Sequence, residues 1–522
     1  MDVQLSNSLG IDLGTSSVKV GVFDERLRMI GGGKEEYQVE YVGKNGAEQS
    51  AVKWWNSIVK VCREIEERSP SEWKKIKFVG VTAQFSGTTA IDRNGIPLRN
   101  PIIWLDSRGE EATRELITGF PSIAGYNIGR LIRWIRLTGG APTKSGKDSL
   151  SHILYLKANE PNVYSETYKF LEPKDYINLK ITGKIASTYD TMILHWVTDN
   201  RDINNVRYDR KLLSVAGLDI SKLPNLIGSW DAVGNIAKEA ASELGLSEEV
   251  VVSGGAGDIQ SSLIGSGCID NFEPLIYIGS SSWISAHVPF KKTDIFHNMA
   301  SLPSGLPGKY FIPAEQENAG SALDYLRKTI SNEAKIFDFD ELNLLAGEAP
   351  PGSDGLMFFP WLFGERAPVE SRSLRGSLFN LSITHQKSHL ARSVMEGVAM
   401  NLRWLSTTFG KFIGLKPAKY VMAGGGSLSD IWSQILADVL QVEIASSGSP
   451  VFVNAKGAAI LGLLAGGLDM KSISGNVKSI RKTFLPSKSN AKVYDGTYGM
   501  FVEFYRRNHR LMERFNDERK SG

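Results

Sequence analysis

The sequence predicts an α/β chain of two similar domains around an interdomain cleft, and three observations carry that prediction. At 522 residues the chain is too long for a single hydrophobic core. An apolar run opens into the turn Gly10-Ile11-Asp12-Leu13-Gly14-Thr15-Ser16-Ser17, and a second one, Leu275-Ile276-Tyr277-Ile278, opens into Gly279-Ser280-Ser281-Ser282. After the first turn strand-like and helix-like segments alternate, so the second start reads as the same cycle beginning again.

Residues 9–13, 18–23 and 29–30 are short β-prone runs separated by turn residues, which predicts an antiparallel meander with the first Gly/hydroxyl turn at a hairpin tip. A helix is expected over 52–67, with Val52, Trp55, Val59 and Val61 partly on one face, followed by a buried strand at Phe78-Val79-Gly80-Val81. Val250-Val251-Val252 then leads through Ser253-Gly254-Gly255-Ala256-Gly257-Asp258 into a helix over 259–264. The domain boundary is expected near Cys268, giving domains 1–268 and 269–522 joined by short hinges, since no low-complexity linker is present. In the second half, 388–409 is the clearest helix, with Leu390, Val394, Val398 and Leu402 as a core stripe. Tyr420-Val421-Met422-Ala423 enters the turn Gly424-Gly425-Gly426-Ser427, and a helix follows over 431–440. The small residues from Gly457 to Gly462 mark a helix that packs closely on a neighbour, and residues 505–520 read as a solvated terminal helix.

Composition narrows the partners. Sixty Lys and Arg against 57 Asp and Glu leave a net charge of +3, which supplies no general attraction for nucleic acid or an anionic membrane. Cys62 and Cys268 are far apart and lack a metal-ligand spacing, so they read as bystander thiols. Residues 1–8 lack the pattern of a signal peptide, and no apolar run is long enough to span a bilayer, so a cytoplasmic protein is expected.

The turns carry the chemistry. Gly14 with Thr15, Ser16 and Ser17 offers backbone N–H groups and hydroxyls to a polyphosphate, and Asp12 could hold Mg²⁺ through water; a hairpin turn with a structural aspartate is the competing reading. Gly279 and Ser280 gain weight from being paired with that turn, as a second jaw. The Gly424 turn, with Asp430, Trp432 and Gln434 after it, is a third candidate, for a nucleoside, or else an ordinary strand-to-helix connection. Asp258 ends a strand in Gly-rich backbone at the edge of the expected cleft, where a carboxylate can take the proton of an attacking hydroxyl; its alternative is a helix N-cap. Trp104-Leu105-Asp106-Ser107-Arg108 brings an Asp/Arg pair to a polar site or forms a structural ion pair, and Gln84-Phe85-Ser86-Gly87 lines a substrate pocket unless Phe85 belongs to the core. His152, His195 and His287 have no metal spacing.

Taken in order, these segments resemble the FGGY family of carbohydrate kinases, within the actin, Hsp70 and sugar kinase superfamily, over nearly the whole chain. The most specific pieces are 10–19, Trp104 to Arg108, Gly254 to Gly267, Phe359 through Gly364-Glu365-Arg366-Ala367-Pro368, 375–397 and 424–438. The order and length look most like the family's xylulokinases. The resemblance implies two ribonuclease-H-like (actin-like ATPase) domains, the first binding sugar and the second nucleotide, with ATP and Mg²⁺ as cofactors. By position it makes Asp258 the catalytic base, Asp12 the magnesium-associated aspartate, Thr15 to Ser17 and Gly279 with Ser280 the phosphate loops. Gly320, Asp324, Gly425, Gly426 and Asp430 fall where relatives contact nucleotide. The acceptor would be a small sugar or polyol, a ketopentose such as xylulose leading, with glycerol or another polyol or a sugar acid as alternatives; a homodimer is compatible with this reading. A nucleotide-driven scaffold on the same fold is disfavoured, because such relatives lack the Gly-Glu-Arg-Ala-Pro and Trp-x-Asp-x-Arg segments.

The chain departs from the family pattern at four places. Phe85-Ser86 stands where xylulokinases usually have Met-His, and Ile259 where Asn or Gln usually follows the catalytic aspartate. His152 and Tyr155 replace the Lys and Trp of an early signature, and Asn380 stands where Gly is usual, a change that left-handed backbone tolerates. Gln84, Phe85, Ser86, Asp106 and Ile259, with Asp258, are therefore the candidate sugar-pocket residues. The changes among them bear on the acceptor and leave phosphoryl transfer untouched.

Overall fold

The computed structural model describes residues 6–333 and 335–518. Strands β1 (Asn7–Leu13), β2 (Ser17–Phe23) and β3 (Met29–Glu36) form the expected antiparallel meander, Ile11 facing Val20 and Val20 facing Gly33. β3 continues well past the Met29-Ile30 pair that marks it in sequence, because Gly31 to Gly33 have little strand propensity of their own. Tertiary contact explains those glycines: a Cβ on Gly33 would stand 2.7 Å from Val61, and one on Gly31 3.2 Å from Ile65. Both partners belong to helix α1 (Ala51–Arg68), which starts at Ser50, whose hydroxyl accepts the Lys53 N–H. The buried residues of α1 include Trp55 and Val61 of the expected face together with Trp54, Ile58, Cys62 and Ile65, while Val59 is half-buried and Val52 points to solvent at 65% exposure.

Strand β4 (Ile76–Ala83) pairs parallel with β1, and β5 (Ala232–Asn235) and β6 (Val251–Ser253) complete the sheet in the order β5-β6-β4-β1-β2-β3, with Ala256–Gly257 also pairing β4. The chain then enters α2 (Asp258–Gly265).

The second sheet repeats the plan. Strands β7 (Leu275–Ile278), β8 (Ser282–Val288), β9 (Leu302–Pro303), β10 (Tyr310–Gln316), β11 (Lys419–Ala423), β12 (Glu443–Ser447) and β13 (Ile480–Phe484) are ordered β9-β10-β8-β7-β11-β12-β13. The run β7-β8-β10 is antiparallel and β11 lies parallel to β7, as β4 does to β1. Around this sheet lie α3 (Gly320–Ile330), α4 (Lys387–Ile413), α5 (Asp430–Leu440), α6 (Val453–Ala465) and α7 (Lys488–Glu518). In α4 the expected stripe is present in Val394, Val398 and Leu402, but burial is continuous from Ala391 to Leu402. It therefore encloses Arg392 and Glu396, whose ion pair at 2.8 Å is completed by the Tyr494 hydroxyl. Asn380 has φ 63°, the left-handed backbone that explains an Asn at that position.

Helix α7 joins the second core just before the expected solvated segment: Phe501 is fully buried and Phe504 stacks on Phe359 at 3.9 Å, while residues 505–516 are half-buried or exposed. Arg519 and Lys520 of the expected terminal helix lie outside the described residues. Helix α6, late in the chain, packs against β1 and β4 of the first sheet and against α2. Its backbone meets theirs at glycines: a Cβ on Gly10 would lie 1.8 Å from the Ala455 oxygen, one on Gly80 1.8 Å from the Ala458 oxygen, and one on Gly457 1.9 Å from the Ser261 oxygen. No helix among the described residues is long and apolar enough to cross a membrane.

Candidate active site

The β1–β2 turn closes with Gly14 N–H donating to the Ser17 carbonyl at 3.0 Å. Ser16 is exposed at the tip, Thr15 is half-buried, and Ser17 is buried at the start of β2. The rest of the domain braces this tip. Trp104 Nε1 donates to Thr15 Oγ1 at 2.9 Å, Gln49 Nε2 to the Thr15 carbonyl at 2.6 Å, and the Tyr37 hydroxyl to the Gly14 carbonyl at 2.5 Å. Gln84 takes the Thr15 hydroxyl at 3.3 Å and gives its Nε2 to Gln49 at 2.7 Å, so its amide serves the loop at both ends. A loop held this way presents its N–H groups without reorganising.

Asp12 ends β1 and is 2% exposed. Lys19, its cross-strand neighbour, stands 3.7 Å from Oδ2, while Oδ1 has no partner among the described residues. Burial pushes the carboxyl up, and Lys19 and the Asn454 side chain work against that rise. An unpaired buried carboxylate oxygen suits a cation or its water shell. No group of three or more His, Cys, Asp or Glu that could hold a metal is found among the described residues. An ion here would complete its shell with water and phosphate oxygens, which is the habit of Mg²⁺.

Asp258 is the first residue of α2 and accepts the Ile259 N–H on its own Oδ1 at 2.8 Å; Gly257 occupies the cap position, so Asp258 is not the N-cap. The glycines before it are sterically required. Gly255 has φ +72° and a Cβ there would lie 2.0 Å from the Val81 oxygen; one on Gly257 would lie 2.7 Å from the Phe85 ring. The Asp258 carboxyl is pushed up to about 8, first by burial, then by the Asp12 charge, with Glu315 adding to it. A base must be ionised to act, so kcat/KM should rise with pH across the neutral range and level off above about 8. A profile that falls through that window would remove Asp258 from the role.

Around Asp258, Phe85 and Ile259 share one apolar cluster with Trp283 and Tyr277, and the last two stack at 4.0 Å. The two unusual residues of the pocket are thus apolar together. Ser86 adopts φ 63° and donates its hydroxyl to the Lys147 carbonyl at 2.6 Å. Asp106 is 1% exposed and already engaged, by Ala47 N–H at 2.9 Å and by Arg108, whose Nε lies at 2.8 Å.

The second half contributes three turns that meet at the end of β7. The Gly320 N–H donates to the Gly279 carbonyl at 2.9 Å, and the Ser321 N–H to that of Ser280 at 3.0 Å, which sets the start of α3 against the second Gly/Ser turn. Gly424, at φ +84°, and Gly426 both lie against Ile278, while a Cβ on Gly425 would meet open space. The two acids named for this side are taken up by cations. Asp324 pairs with Arg327 and Lys328, each at 2.8 Å, and Asp430 with Arg481 at 2.7 Å and Lys482 at 2.6 Å.

Contacts across the cleft join the halves. Arg366 holds Glu315 and Glu317 and lies over the Trp104 ring at 5.6 Å, and Lys147 lies over the same ring at 5.8 Å. Arg372 pairs with Glu110 at 3.3 Å. Burial, with the charges of Asp12 and Asp258, pushes up the Tyr277 phenol in the second sheet's first strand. Sequence reasoning assigned no role to Lys147, Glu315, Glu317 or Arg366. The signal available for Arg366 was its place in the Gly364 to Pro368 segment.

Residues 8–265 match the N-terminal domain, and residues 276–466 the C-terminal domain, of the FGGY family of carbohydrate kinases. The chain belongs to this family. It is 29% identical to the xylulose kinase of Staphylococcus epidermidis, over 96% of this chain and 97% of that protein. It is 26% identical to the gluconokinase of Bacillus subtilis, over 96% of each. Among solved structures it is similar to the xyloylose kinase from Brucella ovis, with a TM-score of 0.84 and 27% identity, covering 97% of this chain and 100% of that one. The FGGY chain is thus a sugar kinase, a phosphotransferase with an alcohol group as acceptor, and its two-sheet architecture is that of its family.

Proposed function

We propose that this FGGY kinase transfers the γ-phosphate of ATP to a hydroxyl of a small sugar, a ketopentose such as D-xylulose being the leading acceptor, with Asp258 as general base. The observation that carries the catalytic part is Asp258 itself, a half-buried carboxylate raised to about 8 by burial and by the charge of Asp12. The xylulose kinase relatives, aligned over nearly the full chain, support the ketopentose. Residues 1–268 hold the sugar and 269–522 the nucleotide in this reading.

The acceptor oxygen attacks the γ-phosphorus as Asp258 takes its proton; the bond from γ-phosphorus to the bridging oxygen breaks, and ADP leaves. The Gly14 and Gly279 turns offer N–H groups to the phosphates, and Asp12 would hold Mg²⁺ through water. Bound Mg²⁺ supplies neutralisation of phosphate charge. Closure of the halves over Trp104 and Arg366 excludes water.

A panel of acceptors in an assay of ADP release tests the assignment. Xylulose should give the highest kcat/KM, with ribulose, glycerol and gluconate at least ~10-fold lower, the discrimination expected from a few pocket contacts. Gluconate or glycerol ahead of xylulose would replace the ketopentose. No acceptor raising ADP release above the rate in water alone would overturn the kinase.

A further inference from the structure

We infer that Asp190, buried behind the catalytic turn, is the positioning residue that aims Asp258. The inference rests on the reading of Asp258 as the base. Asp190 lies in the short helix Tyr189–Met192 and is fully buried. Its Oδ2 accepts the Gly257 N–H at 3.1 Å, the peptide immediately before Asp258, and its Oδ1 accepts the Ser229 hydroxyl at 2.6 Å. Its own carbonyl accepts Gln260 Nε2 at 3.4 Å, two residues after Asp258. Asp190 therefore touches the first turn of α2 on both sides of the base. None of the ion pairs found among the described residues includes it.

Gly257 must be glycine because the Phe85 ring occupies the space of a Cβ, and a glycine leaves the peptide that carries Asp258 free to rotate unless something else holds it. The neighbouring glycines are tied by backbone: Gly254 N–H to the Asp231 carbonyl at 2.8 Å, and Gly255 N–H to the Ser229 carbonyl at 2.9 Å. Gly257 pairs with Ala83 of β4, and its N–H is tied by a side chain, that of Asp190. A carboxylate without a cation is costly to bury. Its placement beside the N-terminal end of α2, with two neutral donors fixed on it, offsets that cost while fixing the peptide.

Three substitutions test this by steady-state kinetics on variants whose folding is checked by melting. Asp190→Ala leaves the Gly257 N–H unpaired, and kcat should fall roughly 100-fold, the scale of a misaimed catalytic group, with KM for ATP within about threefold of wild type. Asp190→Asn can keep an oxygen on Gly257 and an NH₂ toward the Ser229 oxygen, and should restore kcat to within about fivefold. Asp190→Glu keeps the charge but displaces the oxygens, and should lose about 10-fold or more in kcat. A role in stability alone would lower the melting temperature and leave kcat per folded molecule unchanged, which overturns the inference. So would an Asp190→Glu enzyme faster than Asp190→Asn, a comparison that stands even if Asp190→Ala fails to fold. Loss of turnover in Asp258→Asn alongside a fully active Asp190→Ala would sink the inference and keep the base, whereas a fully active Asp258→Asn would remove the base itself.

Discussion

Asp258→Asn should lose about 10²- to 10⁴-fold in kcat, the usual contribution of a general base, while ATP affinity stays near wild type. The amide occupies the same volume at the first position of α2 and can still accept the Ile259 N–H, so the turn need not move. What is removed is the capacity to take a proton. The same variant should melt at a higher temperature than the wild type. Asp258 is held up to about 8 in the folded protein, above its value in an unfolded chain, so the folded state binds a proton more tightly than the unfolded one. The stability this contributes is fully present below the unfolded value near 4 and is lost as pH rises toward 8. At neutral pH folding must therefore either protonate Asp258 or bury its charge, each at a cost the unfolded chain does not bear, and Asn removes the penalty. Lower turnover with a higher melting temperature is the pattern to look for, by coupled ADP assay and calorimetry. Turnover like that of the wild type would sink the assignment of the base.

Gly10→Ala should destabilise the protein by roughly 3 kcal/mol or more, at the upper end of overpacking costs, although it adds one methyl to a strand of high burial. That methyl would lie 1.8 Å from the carbonyl oxygen of Ala455, a backbone atom of α6 that no rotamer change can move. The same close approach recurs at Gly80 and Gly457, so α6 rests on β1, β4 and α2 through bare backbone. Gly475→Ala is the control: it lies in the exposed helix Met470–Val477 with nothing near a Cβ, and should stabilise by about 0.5–1 kcal/mol. Chemical denaturation of the two variants should shift in opposite directions. A Gly10→Ala protein as stable as the wild type would mean that α6 and β1 can separate at little cost.

Much of this site can be read along the chain. The Gly14 and Gly279 turns, the Gly-rich approach to Asp258 and the Gly424 turn are local patterns, because a strand that ends in glycine and hydroxyl residues needs no distant partner to form a turn. The resemblance carried by the Gly364 to Pro368 segment and the 375–397 region could likewise be stated from residues alone. The face of α1 was harder, since Val52 and Trp54 are both apolar and only the position of β3 decides which one turns inward. The aromatic residues ahead of the terminal basic segment gave no local signal of burial, because Phe501 and Phe504 find their partner in Phe359, far back in the chain.

The sequence by itself determined the duplicated strand-turn plan, the family and the candidate base, all of which depend on residue type and local order. Tertiary structure decided the rest. It brought Lys147, Arg366, Glu315 and Glu317 around Trp104, engaged Gln84 and Asp106 in bracing, tied Gly257 to Asp190, and laid α6 of the second half against the first sheet. These pairings join residues far apart along the chain, and nothing local to either partner encodes them. The raised carboxyl of Asp258 belongs with them, because it comes from burial and from the charges of Asp12 and Glu315, which share its surroundings only once both sheets are folded.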